Sequence, residues 1–157
     1  MPFPVFNNIG DDHFVHMGSK ICLRHLASGR YVRSSARAYQ GGSGQQVVLP
    51  YGSRVRLYHM ATFKWLHSHQ VKSPSSGQNE VSAYGNDNLS DNNDNWIVEK
   101  VDGGSGDWHA NDQFLLRHEG TGAYLHSHDV QFENFWEVTT FAGDAGDRNN
   151  IFGTRFG

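Results

Sequence analysis

Residues 53–69 read SRVRLYHMATFKWLHSH, and residues 112–128 read DQFLLRHEGTGAYLHSH. Aligned without a gap, the two stretches share one template: an alternating run, a His, a short polar turn, an aromatic residue, then Leu-His-Ser-His. A more degraded copy, SKICLRHLASGRYVRSS, occupies residues 19–35. A strand-turn-strand unit of this size exposes an apolar face that only its neighbours can cover, so no copy is a fold by itself. The expected result is a threefold assembly in which any site is repeated or lost.

Taken apart, the second copy opens with Val55 and Leu57 alternating with Arg54, Arg56 and Tyr58, the pattern of a strand with one buried face. Met60 to Lys64 turns the chain, and Trp65 to His69 returns with Leu66 and Ser68 on one face and His67 and His69 on the other. A loop over 72–77, a strand from Gln78 to Tyr84, a long Asn/Asp loop over 86–95 and a strand from Trp96 to Glu99 complete a four-strand unit. The third copy predicts strands over 113–118, 123–128, 136–141 and about 150–156. The first predicts strands near 20–25, 30–35 and 45–49 but lacks a fourth, and the segment from Asp12 to Met17 is the candidate to fill that place or to pair with the C-terminal strand.

Three units of about four strands, spanning roughly 1–51, 52–103 and 104–157 of one domain over 1–157, fit an all-β fold of the β-trefoil kind with a degenerate first unit. Closure into a barrel removes exposed sheet edges. A β-sandwich, the other all-β layout, does not predict threefold repetition. Composition agrees: charged residues are 18 %, with 18 Gly and 10 His, which suits short strands joined by tight turns. A net charge of −3 leaves no basic face to hold a phosphate backbone, so nucleic acid is excluded as a partner. Cys22, the one cysteine, rules out an internal disulfide framework and reads as a small buried hydrophobe. No stretch is apolar for the roughly 20 residues a membrane span needs, and the first residues lack a signal-peptide pattern.

A resemblance follows from these residues. The combination Gly52-Ser53-x-Val55-x-Leu57-x-His59, Leu66-His67-Ser68-His69, Ser76-Gly77-Gln78-Asn79-Glu80-Val81, Tyr84-Gly85 and Asp94-Asn95-Trp96-x-Val98-Glu99 resembles a MIR repeat. That module is shared by protein O-mannosyltransferases, the stromal-cell-derived-factor-two family, and inositol trisphosphate and ryanodine receptors. The third copy matches through Arg117-His118-x-Gly120-Thr121-Gly122-x-Tyr124-Leu125-His126-Ser127-His128 and Trp136-Glu137-Val138. The first matches in Leu23-Arg24-His25, Gly29-x-Tyr31 and 42–47, and departs with Arg33 and Ser35 where the others carry His. The resemblance implies a β-trefoil without a catalytic centre, acting in glycan or glycoprotein binding, in an endoplasmic-reticulum chaperone complex, or as a ligand-gating part of a larger chain.

The chemistry of the residues themselves leaves three readings of the His-Ser-His pairs. Two imidazoles on one strand face suit zinc or copper, yet no carboxylate or Cys completes a ligand set at a recognisable spacing, and no metal or other cofactor is expected. They also suit sugar hydroxyls, or they serve as polar ties between loops and barrel. Sugar binding asks for a flat apolar surface beside donors and acceptors. The ligand-binding candidates are His67, His69, Gln78 and Glu80 beside Trp65 in the second unit, and His126, His128, Asp129 and Glu137 beside Tyr124 in the third, although both aromatics occupy positions that a trefoil often packs inward. One carboxylate per unit is not the flanking pair that glycosidic cleavage requires. The tract from Asp87 to Asn95 lacks the register of a calcium loop and reads as a solvated turn, with Asn88-Leu89-Ser90 matching a glycosylation acceptor.

The reading that results is a non-catalytic, lectin-like module for mannose-type glycans, with glycans or glycoproteins as partners and either a monomer or a homo-oligomer as its state. The alternative is an excised regulatory or interaction module of a protein O-mannosyltransferase or a chaperone-associated factor; a metal-dependent hydrolase is the weakest candidate. A complete chain starting at Met1 would be cytosolic, whereas an excised domain of this kind would sit in the endoplasmic-reticulum lumen.

Overall fold

The structure, a computed structural model, describes residues 21–29, 49–132 and 135–155. Ten strands carry the fold among these residues: β1 (Cys22–His25), β2 (Arg54–Val55), β3 (Tyr58–His59), β4 (Lys64–Lys72), β5 (Asn79–Tyr84), β6 (Trp96–Lys100), β7 (Gln113–His118), β8 (Tyr124–Phe132), β9 (Phe135–Phe141) and β10 (Phe152–Arg155). Two short 3-10 turns, η1 (Asn92–Asp94) and η2 (Arg148–Asn150), precede β6 and β10. The expected strands near 30–35 and 45–49, and the expected pairing of residues 12–17, lie outside the described residues.

The second and third units match element for element. β4 pairs β5 with Ser68 opposite Val81, and β8 pairs β9 with Ser127 opposite Val138; both ladders then slip register at the same place, after the serine of Leu-His-Ser-His. The closing strands agree as well: β6 lies against β2 with Val55 opposite Trp96, and β10 lies against β7 with Phe114 opposite Phe152. Neighbouring units join by the opposite edges of the same strands, Trp96 opposite His118 and Phe152 opposite His25. The order β1-β10-β7-β6-β2 therefore alternates first and fourth strands of successive units, the arrangement a trefoil barrel demands. Among the described residues, the C-terminal strand β10 pairs with β1 and β7.

The first strand of the second unit departs from the sequence reading. It is split into β2 and β3, because Arg56 leaves the ladder to donate from Nε to Asn95 Oδ1 at 2.7 Å while the chain crosses from its barrel partner β6 to its hairpin partner β4. Cys22 also differs from expectation: it is exposed, and its neighbour Leu23 takes the inward place. Inside the barrel, Leu23, Trp96, Val98, Trp108, Phe114, Leu116, Leu125 and Phe152 form one buried cluster drawn from all three units. Burial of such side chains stabilises the fold by about 1.5–3 kcal/mol each. Trp96 keeps its indole N–H satisfied by donating to the carbonyl of Leu66 at 3.0 Å.

Histidine locks the unit seams. In His118, Nε2 lies 2.9 Å from the carbonyl of Asn93 in η1, which can only accept, so the proton sits on Nε2 and Nδ1 of the neutral ring accepts from the Thr121 hydroxyl at 2.9 Å. His25 repeats this, accepting from Ser28 at 2.8 Å and donating to Asn149 in η2 at 3.0 Å. Each turn after these histidines reverses at a left-handed residue, whose N–H bonds the His carbonyl: Gly29 at φ +69°, Gly122 at φ +71° and, in the second unit, Phe63 at φ +57°. Glycine adopts that region freely, whereas a side chain costs about 1–2 kcal/mol there.

Burial lowers the pKa of His25, His118 and His126, the first two partly offset by their backbone carbonyls and the third by Asn150. Neighbouring His126, His67 and His128, respectively, push in the same direction, while Asp147 opposes the shift for His25 and His126, and Asp94 and Glu119 oppose it for His118. A folded pKa below the unfolded value of about 6.5 means that the unfolded chain binds more protons, so these groups contribute stability that is complete above about pH 6.5 and is lost as pH falls. The melting temperature is expected to be level above pH 7 and to fall between pH 6.5 and 5. A level curve across that interval would contradict the neutral, buried assignment.

Candidate functional site

The Leu-His-Ser-His strands place four imidazoles in two pairs, and each imidazole is held by an acceptor outside its own strand. His67 donates from Nδ1 to Asp94 Oδ1 at 2.8 Å, and His69 bonds through Nε2 to Glu80 Oε1 at 3.0 Å. In the third unit His126 donates from Nδ1 to Asn150 Oδ1 at 2.8 Å, and His128 bonds through Nε2 to Glu137 Oε2 at 2.9 Å. Ring centroids within each pair lie 5.1 and 4.9 Å apart, nearly edge to face. The two histidines of a pair differ in setting: His67 and His126 are buried, whereas His69 and His128 lie nearer the surface.

Burial of His67 and His126 follows from η1 and η2. Asp91 caps η1 by accepting from the Asn93 N–H at 2.7 Å, and Asp94 Oδ2 accepts from the Asp91 N–H at 2.8 Å, a reciprocal capping box. Asp94 is fully buried, and its two oxygens bond His67, Ser90 and the Asp91 backbone. The solvated turn expected over 87–95 is therefore confined to its first half: Asp87 to Leu89 is exposed, but Asp94 and Asn95 are interior because the turn must reach back to His67. Asn88 of the acceptor triplet is exposed, while Ser90 is tied to Asp94. No sequence spacing marked carboxylates that could complete a ligand set with the histidines, yet one nitrogen of His67 and one oxygen each of Asp91 and Asp94 lie within 4.8 Å of one another. The internal hydrogen bonds make this group a cap rather than a vacant ligand shell.

The two outer pairs are not equivalent. The His69 and Glu80 side chains are 33 % and 39 % exposed, against 12 % and 12 % for His128 and Glu137. The difference has a source in the loop of the second unit, where the buried Ser73 donates its hydroxyl to Glu137 Oε1. Glu137 thus has both oxygens engaged, while Oε2 of Glu80 takes no hydrogen bond among the described residues. Gln78 accepts from the Thr139 hydroxyl at 2.5 Å, and Thr139 stands opposite Glu80 in the β5–β9 ladder. Asp129 is exposed and makes no hydrogen bond among the described residues. Trp65 and Tyr124 are half-buried, their polar atoms spent on the Asn86 carbonyl and on Glu99.

Asp94 belongs to the MIR-like motif and Asn150 opens the last expected strand, but neither is among the binding candidates the sequence offers. Each lies more than 20 positions from its histidine. A signal was available in the parallel segments Asp91-Asn92-Asn93-Asp94 and Asp147-Arg148-Asn149-Asn150, each immediately upstream of a closing strand. Among the described residues no helix is long and apolar enough to cross a membrane.

No family model matches the chain. It is 34 % identical over 144 residues to a stromal cell-derived factor 2-like protein of Arabidopsis thaliana, an alignment that takes in 74 % of this chain and 66 % of that protein. The crystal structure of the SDF2-like protein from Arabidopsis thaliana has a TM-score of 0.72 to the present one at 30 % identity, covering 86 % of this chain and 91 % of that one. The Saccharomyces cerevisiae protein O-mannosyltransferase Pmt1-Pmt2 complex bound to the sugar donor contains a chain that matches at TM-score 0.68 and 30 % identity, over 85 % of this chain and 24 % of its own length. The chain thus spans just under two thirds of the plant relative and about a quarter of the transferase. Strands, repeated ladders and these likenesses agree: the chain belongs to the MIR family that stromal cell-derived factor 2-like proteins and protein O-mannosyltransferases share.

Proposed function

We propose that the chain is a non-catalytic binding module for carbohydrate, of the mannose type carried by glycoproteins, and that the second unit does the binding. The observation behind this reading is the open His69–Glu80 pair, in which one Glu80 oxygen takes no hydrogen bond among the described residues. Neighbouring hydroxyls on a sugar ring need acceptors and donors side by side. Glu80 supplies the acceptor, His69 and the Gln78 amide supply further polar atoms, and the buried His67 beneath holds the strand in place. The third-unit set of His126, His128, Asp129 and Glu137 is the weaker candidate, because the Ser73 clasp fills the carboxylate. Preference for mannose rests on likeness to the mannosyltransferases.

Catalysis is absent from the proposal for a chemical reason. Glycoside cleavage needs two carboxyl groups flanking the bond. Asp91 and Asp94 approach one another, but Asp94 is fully buried and its oxygens are occupied. A second reading, a protein-docking module, is favoured by the match to a small part of a much longer transferase chain.

Titration calorimetry with a high-mannose oligosaccharide separates these readings. Glu80→Gln is expected to weaken binding about tenfold, while Glu137→Gln keeps the affinity within about twofold and lowers the melting temperature by a few degrees, since it loosens the clasp. Undiminished binding by Glu80→Gln would overturn the site, and a wild-type chain that binds no glycan would leave the docking module. Added chelator is expected to leave the melting temperature unchanged; a drop of several degrees would establish a resident metal, because a ligand bound only to the native state stabilises it.

A further inference from the structure

The turns that follow His25, His59 and His118 are built with the same backbone bond, from the N–H of the fourth residue on to the His carbonyl, at 2.8 Å for Gly29, 2.9 Å for Phe63 and 2.8 Å for Gly122. Two units use glycine at the left-handed position, and the second places a phenylalanine there. Packing does not explain the exchange, because Phe63 is 52 % exposed and a Cβ added at the equivalent Gly122 would meet no atom within 4 Å. The second unit thus holds a large ring in solvent on a backbone conformation that disfavours it, an outlier whose compensation lies outside the fold.

The surroundings of the ring suggest what it meets. Lys64 donates to the Gly85 carbonyl at 3.1 Å and the Trp65 indole to the Asn86 carbonyl at 3.0 Å, which brings the turn against the exposed Asn86-Asp87-Asn88 segment. A protein partner is held by an apolar centre built from several clustered side chains. The exposed large hydrophobics among the described residues are Phe63, Val71 and Leu89; Val71 lies at the far end of β4, and Leu89, which closes the turn from Asn86, adds one aliphatic side chain. One flat apolar disc beside an ammonium, amides and a carboxylate instead matches a pyranose, which has an apolar C–H face edged by hydroxyls.

We propose that Phe63 is a ligand-contact residue, a stacking platform for one sugar ring of a bound glycan. The proposal rests on the carbohydrate reading above and adds a second contact to it. Extended geometry puts Phe63 roughly 20 Å from His69 along the chain, so the two residues serve different sugars of one oligosaccharide.

The test compares Phe63→Gly and Phe63→Trp with the wild-type chain, using a high-mannose oligosaccharide in calorimetry and thermal melting without ligand. Phe63→Gly is expected to melt at the wild-type temperature or about 1–3 °C above it, since relief of the left-handed strain outweighs the freedom glycine regains when unfolded. Its affinity is expected to fall about fivefold or more, and Phe63→Trp to keep wild-type affinity. Wild-type affinity in Phe63→Gly would overturn the proposal, as would a melting temperature several degrees lower, which marks a structural residue. If the wild-type chain binds and Glu80→Gln weakens it while Phe63→Gly does not, this inference alone fails; if the wild-type chain binds no glycan, the carbohydrate reading fails with it.

Discussion

A neutral imidazole with both nitrogens committed is the constraint around which the units assemble. A carbonyl in the 3-10 turn of the neighbouring unit can only accept, so Nε2 of His25 or His118 must carry the proton, which leaves Nδ1 to accept from the hydroxyl three residues on. The bond has direction, so it sets which unit follows which. It also fixes depth: the ring comes to rest against the aromatic residue that opens the neighbour's closing strand, Trp96 for His118 at 5.0 Å and Phe152 for His25 at 5.5 Å. Those two aromatics belong to the barrel cluster, so the polar seam and the apolar core are positioned by the same side chains.

That coupling explains why the 3-10 turns carry so much buried polarity. A turn that offers its carbonyl to the next unit must be rigid, and η1 achieves this by capping itself through Asp91 and Asp94. The leftover oxygen of Asp94 then needs a donor, which the His67 ring supplies. One requirement thus chains to the next, from seam to cap to the first histidine of Leu-His-Ser-His. An unpaired carboxylate at that depth would cost several kcal/mol, so Asp94 and His67 are each retained by the presence of the other.

Local periodicity made most of this legible. The template from the alternating run to Leu-His-Ser-His marks β3, β4, β7 and β8 because strand pairing and tight turns act over a few residues, and Glu80 and Glu137 were matched in place for the same reason. What escaped was set by contacts across the units. Asp94 looks like one more polar residue in an Asn/Asp tract until the fold folds it back onto β4. The break between β2 and β3 arises because Arg56 finds Asn95, a partner 39 positions away. The unequal standing of the two outer His–Glu pairs hangs on Ser73, a loop residue with no pattern of its own.

A chain with internal repeats carries its own control. Where units two and three agree, as in the ladders, the register slips and the buried histidine of each pair, the fold itself demands the residue. Their differences are more informative, because the same backbone tolerates either choice. Asp94 stands where Asn150 stands and adds a negative charge beneath the pair; Glu80 is open where Glu137 is clasped; Phe63 projects where Gly122 has no side chain. Stability alone would favour the third-unit solution at each of these places: a neutral acceptor for a buried ring, a fully bonded carboxylate and an unstrained turn. All three costlier choices fall in the second unit, along β4 and the segments packed on it, and a burden concentrated in one of two otherwise matching copies is what a binding face, rather than a scaffold, would require.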